Sequence, residues 1–207
     1  MVTPLVWLYR FTLPAGDEGL AICRGLRAQA STLRLYRAVE GDQVYAYLGP
    51  DAPALPAICL PPAARASRLE CLLEVQGAAA GAEAPWHYVV ETDVLPEVED
   101  EFNAWYDEEH LPGLAAVPGT VRAMRLRDAS GSPRYHACYD LAALETLGSP
   151  AWLAVRATPW SSRVRAAFRN TKRLMLRPVA LPAPEGAVAR AADAAPIDGR
   201  AARRACP

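Results

Sequence analysis

The sequence predicts an α+β protein in which a split βαβ unit occurs twice in one chain. Two observations predict it. The order strand-helix-strand-strand-helix-strand runs through residues 1–77 and again through 86–178. Between them, "GAAAGAEAP" (77–85) has the small-residue composition of a connector, so 78–85 reads as a linker. The two halves share little sequence, and the duplication is inferred from the order of elements.

Each element has its own signal. "LVWLYRFT" (5–12) is rich in aromatic and branched residues and is bounded by Pro14, which predicts a strand. "DEGLAICRGLRAQ" (17–29) opens on Asp17 and spaces Leu20, Ile22, Cys23 and Leu26 as one helix face. "TLRLYRAV" (32–39) and "QVYAYLG" (43–49) flank the Gly41-Asp42 turn as a hairpin. The Ala/Pro-rich stretch 51–66 has room for a short helix, and "SRLECLLEVQ" (67–76) closes the first unit as a strand.

The second unit opens with the strand "WHYVVETDV" (86–94). The helix "EVEDEFNAWYDEEHL" (97–111) follows, its first-turn acids favoured by the macrodipole. It is expected to stop before Pro112, since the residue before a proline is pushed out of the helical region. Strands at 120–128 and 134–141 follow. A helix over 149–170 is broken at Pro159, and a last strand covers 171–178. The segment 179–207 is mostly Ala, Pro, Gly and Arg. It reads as a flexible appendage, against a packing arm for which Ile197 is the one large aliphatic candidate.

Composition bounds the function. With 22 basic and 23 acidic residues in 207, the net charge of -1 supplies no field for a phosphate backbone, so no nucleic-acid partner is expected. No apolar run reaches 18 residues, and no membrane span is expected. The apolar start "MVTPLVWLYRFTLP" lacks a basic leader and reads as a first strand. Cys23, Cys59, Cys71, Cys138 and Cys206 are odd in number and never spaced C-x-x-C, which suits reduced thiols and a cytoplasmic location. There is no phosphate loop, nucleophile elbow or Walker pattern, so no nucleotide cofactor is expected.

The stretch "DEFNAWYDEEHLPGLAAVPGTVRAMRL" (100–126) resembles the EthD-like branch of the dimeric α+β-barrel superfamily. Phe102, Asn103, Trp105, Tyr106, Glu109, His110, Pro112, Pro118 and Gly119 carry the match, and nothing in the first half repeats it. The resemblance implies a ferredoxin-like unit that pairs sheet-to-sheet with a second unit to form a barrel, here supplied within the chain by residues 1–77. That superfamily holds cofactor-free monooxygenases, lactone isomerases, polyketide cyclases and dehydratases, haem proteins, and members without assigned activity, so fold alone does not settle function.

His110 follows Tyr106 by four and Asn103 by seven, which places all three on one helix face. A histidine there has two readings: a general acid or base, or a clasp that bonds the loop carbonyls around Pro112. Glu109 lies on the Phe102/Trp105 side, apart from the solvated acids of the helix. Alternation along 86–94 and 134–141 sends His87, Glu91 and His136 to one sheet face, expected to line the barrel interior. Arg122, Arg125 and Arg127 straddle both faces of one strand. They are either edge charges or, for one turned inward such as Arg122, a clamp for a carboxylate or phenolate. The three histidines with Glu91 lack close ligand spacing, so no metal is expected.

These residues suggest a cofactor-free enzyme that isomerises, dehydrates or cyclises a small organic molecule. His110, Tyr106 and Glu109 would be catalytic near one mouth of the barrel. Trp105, Asn103, Arg122, His87, Glu91 and His136 would contact substrate. The rival classes are a non-catalytic small-molecule binder or oligomer-forming stress-type protein, and a haem enzyme. A second copy of the chain, as a homodimer, is the one protein partner considered.

Overall fold

The structure is a computed structural model that describes residues 4–14, 16–49 and 52–181. Eight antiparallel strands close into a barrel in the order β1-β3-β2-β8-β5-β7-β6-β4. They are β1 (Leu5–Thr12), β2 (Arg34–Ala38), β3 (Gln43–Leu48), β4 (Arg65–Gln76), β5 (Trp86–Val94), β6 (Thr120–Asp128), β7 (Tyr135–Leu141) and β8 (Phe168–Pro178). Helix α1 (Asp17–Gln29) covers the first four strands. The helices α2 (Glu99–Trp105), α3 (Leu111–Ala115), α4 (Pro150–Arg156) and α5 (Pro159–Ala166) cover the last four.

The first four strands lie side by side as β4-β1-β3-β2 and the last four as β8-β5-β7-β6, the same order in each half. Two seams join them, β4 to β6 and β2 to β8, both antiparallel. Closure leaves no strand with an unpaired edge. Alternation decides what goes where. Val6, Leu8, Tyr45, Tyr47, Leu69, Val89, Met124, Leu126, Cys138 and Leu176 form one core inside the barrel, drawn from both halves. The opposite faces carry two outer cores, one under α1 and one under α2 to α5.

Three expectations need correction. The stretch 51–66 forms only a 3₁₀ turn at Ala57–Cys59, because its prolines remove the donors an α-helix needs. Apart from these corrections, the segment after β4 is bonded where it begins: the amides of Gly77, Ala78 and Ala79 donate to the carbonyls of Val121, Ala115 and Thr120. The helix that was to end before Pro112 continues past it, through a π-helical turn at Tyr106–His110 and into α3. Pro112 sits in the first turn of α3, where its missing donor costs little. And the appendage from 179 begins packed, with Val179 bonded to the Leu35 carbonyl and Leu181 against the α1 core. The remainder of that segment, with Ile197, lies outside the described residues. The break at Pro159 falls where the sequence places it, between α4 and α5.

Candidate functional site

The Trp-Tyr pair and the run of acids in "FNAWYDEEH" belong to a helix that changes pitch. Phe102 and Trp105 are wholly buried against the sheet, each burial worth about 2–3 kcal/mol of transfer free energy. The Leu111 amide then reaches back five residues to the Tyr106 carbonyl, which widens the turn. π-Turns of this kind occur frequently at functional sites. In this widened turn His110 stacks on Trp105, ring centroids 4.0 Å apart, and meets Tyr106 edge to face at 5.2 Å.

The acids around it then separate by role. Glu109 Oε1 accepts from Trp105 Nε1 at 3.2 Å and from Thr158 Oγ1 at 2.6 Å. Thr158 caps α5 by accepting from the Ser161 amide, so Glu109 ties the two helices together. It does not orient His110. Asn103 Oδ1 and Asp107 Oδ1 accept from Arg125, whose guanidinium is buried against the rings of Phe102, Tyr106 and Tyr135. Asn103 and Arg125 therefore hold α2 to β6. Gly113 allows α3 to approach α4: a Cβ there would stand 2.9 Å from Val155 Cγ1. Gly119 has φ +93° and packs on Thr146, which secures the turn after α3.

Between these helices and the outer face of β5, β7 and β8 lies a cavity of about 30 Å³, room for about one water. Its inner walls are Tyr88, Tyr139, Trp105, Tyr106, His110 and Trp152; Arg156, Arg165 and Arg173 also line it. Three buried atoms of this lining have no hydrogen-bond partner: His110 Nδ1, Tyr139 Oη and Trp152 Nε1. Arg173 is exposed and Arg156 and Arg165 are half-buried, and among the described residues none of the three forms an ion pair. Burial, then the charges of Arg156 and Arg165, push the His110 pKa down to about 3, so the imidazole is neutral at pH 7. Burial pushes Tyr106 up to about 12.

The barrel interior holds a separate polar network. His87, Glu91 and His136 face inward and are nearly or wholly buried. Near one mouth, Glu91 Oε1 accepts from Tyr45 Oη at 2.8 Å across the barrel, with Arg10 Nη1 and His136 Nδ1 each 3.4 Å away. Burial alone would raise the Glu91 pKa; His136, Tyr45 and Arg10 together outweigh it and lower it. Near the other mouth, His87 Nδ1 lies 2.6 Å from Asp140 Oδ1, and Arg122 donates to Asp140 Oδ2 through Nε and Nη2. Burial opposes ionisation of Asp140, but His87 and Arg122 hold its pKa at about 2. Tyr47 Oη bridges His87 Nε2 and Cys138 Sγ. Burial pushes the Cys138 thiol up to about 12, which removes it as a nucleophile.

The expected residues thus fall in three places. Trp105, Tyr106 and His110 meet at the cavity outside the barrel, not at its mouth, because their helix packs on the outer sheet face. Asn103 and Glu109 stand beside that cavity as fasteners. Arg122 does turn inward, but its carboxylate is Asp140 of the same chain. Sequence reading missed Tyr88, Tyr139, Trp152, Arg156, Arg165 and Arg173. One available signal was a pair of tyrosines, Tyr88 and Tyr139, on strand faces that otherwise had to be apolar; they sit directly opposite each other. Among the described residues no group of three or more His, Cys, Asp or Glu is placed to hold a metal ion, and no helix is long and apolar enough to cross a membrane.

No family model and no curated protein matches the chain. Solved structures do. A candidate monooxygenase from Fusobacterium nucleatum subsp. nucleatum superposes with a TM-score of 0.60 at 11% identity, covering 86% of this chain and 93% of that one. An anthrone oxidase-like protein gives 0.57 at 17% identity, covering 86% and 92%. A haem-degrading enzyme from Listeria monocytogenes gives 0.53 at 10% identity, covering 83% and 98%. At such identities the likeness is one of fold: this chain is a mixed α+β barrel with ferredoxin-like neighbours.

Proposed function

We propose that the protein is a cofactor-free enzyme that binds a small aromatic or cyclic organic anion in the cavity between helices and sheet, and that His110 takes a proton from it. One observation carries this reading. Three unpartnered buried polar atoms and three arginines without carboxylates surround one cavity. A buried polar lining of that kind needs a ligand or water to complete it, and the arginines need an anion.

A base whose conjugate acid has a pKa near 3 is a poor proton acceptor. Burial depresses it most and the arginines add to this, so an anion on the arginines offsets part of the depression. Burial stays; an anion seated against Arg156 and Arg165 opposes only their smaller contribution and so raises the imidazole from its value without the anion. The charge left on the deprotonated substrate then lies beside the same guanidinium groups and the Tyr139 hydroxyl. The cavity is small as it stands, so substrate enters as the arginine side chains swing outward past the rigid aromatic wall.

Proton removal is the first step of isomerisation, dehydration or cyclisation. It also yields the electron-rich species that an oxidation would consume, which agrees with neighbours described as monooxygenase and anthrone oxidase-like. The match of residues 100–126 supports the EthD-like branch of the superfamily. The repeated strand order supports a duplication, with units at 1–77 and 86–178 joined through 78–85. Because the barrel closes within one chain, no second copy is required to complete it. Haem is the second reading, in line with a neighbour described as a haem-degrading enzyme.

The test is turnover and binding of a panel of aromatic carboxylates and phenolic ketones, selected by mass spectrometry of metabolites retained from cell extract. His110→Gln should keep binding and lose turnover by ~10²–10⁴-fold. Arg165→Gln should lose binding. Binding without turnover by the unaltered protein would make it a binder, and a Soret band on titration with haem would favour the haem reading.

A further inference from the structure

A second cleft, of about 230 Å³, opens at the barrel mouth that lies over Glu91 and His136. Arg10, Gln43, Tyr45, Arg65 and Lys172 line it; among the described residues the lining itself holds no acid, and Glu91 lies behind it, bonded to Arg10 and Tyr45. Strand alternation aims Arg10 of β1, Arg65 of β4 and Lys172 of β8 at this mouth. They share the inward face with Leu8, Leu69 and Leu176. Arg10 and Arg65 are direct cross-strand partners. Two like charges in that relation destabilise a sheet unless something lies between them.

The polar network behind this lining is equally incomplete. Arg10 Nε, Glu91 Oε2 and His136 Nε2 are buried without a hydrogen-bond partner. Glu91 engages Arg10 and Tyr45 through its other oxygen, and no ion pair of Arg65 or Lys172 occurs among the described residues. One buried carboxylate, paired with Arg10 and cross-strand to Lys172, therefore stands behind a cleft lined by three cations.

We propose that this mouth is a binding site for a phosphate group, either free phosphate or that of a small phosphate monoester. Three cations converging from separate strands suit an anion of charge near two, which a single carboxylate does not supply. The Arg10 Nε and the flexible Arg65 and Lys172 heads are donors, and Gln43 offers an amide at the rim. The volume lies below that of a drug-sized cleft and limits the organic part of a monoester to a few carbons. The site is independent of the helix-covered cavity and of any role of His110.

The experiment is calorimetric titration of the full chain with inorganic phosphate, glycerol 3-phosphate and succinate at fixed ionic strength. Arg65→Ala and Lys172→Ala serve as site variants; both side chains are exposed, so the fold should survive. Arg165→Gln serves as the control at the other cavity. Saturable binding of either phosphate, weakened roughly tenfold or more by each site variant and unchanged by Arg165→Gln, is the expected result. Tighter binding of glycerol 3-phosphate than of phosphate would identify the monoester as the source; the reverse would identify free phosphate. Absence of saturation up to about 10 mM, succinate binding more tightly than both phosphates, or sensitivity only to Arg165→Gln would overturn the proposal.

Discussion

His110 is a histidine that the fold keeps uncharged, and this has a thermodynamic signature. Above its ordinary pKa of 6.5 the imidazole is neutral in both folded and unfolded chains. Below 6.5 the unfolded chain takes up a proton that the folded one refuses until about pH 3. Stability must therefore fall as pH drops through that window, by up to about 1.4 kcal/mol per pH unit from this one group. Urea denaturation from pH 7 to pH 4 should show His110→Gln flatter than the unaltered protein. Parallel curves would mean that His110 is charged in the folded state. A second residue-scale expectation concerns ligand: an anion in the cavity should move the His110 imidazole NMR titration to higher pH, since it opposes Arg156 and Arg165.

At the scale of elements, Glu109 joins two helices and should be tested as a joint. Thr158→Ala removes both the α5 cap and one Glu109 bond, with a cost of about 1–2 kcal/mol. Glu109→Ala leaves Trp105 Nε1 and Thr158 Oγ1 short of a partner, with a cost of about 1–3 kcal/mol. Because both variants delete the same bond, the double variant should cost less than the sum of the singles. Additive costs would show that the Glu109–Thr158 bond contributes nothing. Neither change should alter the pH dependence assigned to His110, since Glu109 does not bond to it.

For the whole molecule, the two seams of the barrel are unequal. β4 and β6 pair over seven positions with one irregularity, from Leu69↔Asp128 to Gln76↔Arg122. β2 and β8 pair over three, Tyr36↔Pro178 to Ala38↔Leu176. Fewer ladder bonds make local opening cheaper. Amide hydrogen exchange should therefore be faster along β2 than along the Glu74–Gln76 end of β4. Equal protection would mean that the interior bonds linking the halves, Tyr45 to Glu91 and Tyr47 to His87, hold both seams closed together.

Strand alternation and helix punctuation are local, and the chain alone determined them. Period-two spacing is enough to put His87, Glu91 and His136 on one face, and Pro159 is enough to divide a helix. Local rules misjudged Pro112, because a π-turn before it satisfies the backbone in a way that no propensity expresses. What only the tertiary structure decided is the position and charge of the candidate site. Whether His110 faces the barrel or the outer cavity depends on the side of the sheet to which its helix docks. Its low pKa depends first on burial and then on Arg156 and Arg165, which lie on later helices and come near only after packing. Backbone preference acts over a few neighbouring residues and is written in their order. Desolvation and charge act through space, and so take their values from distances that exist only in the folded chain.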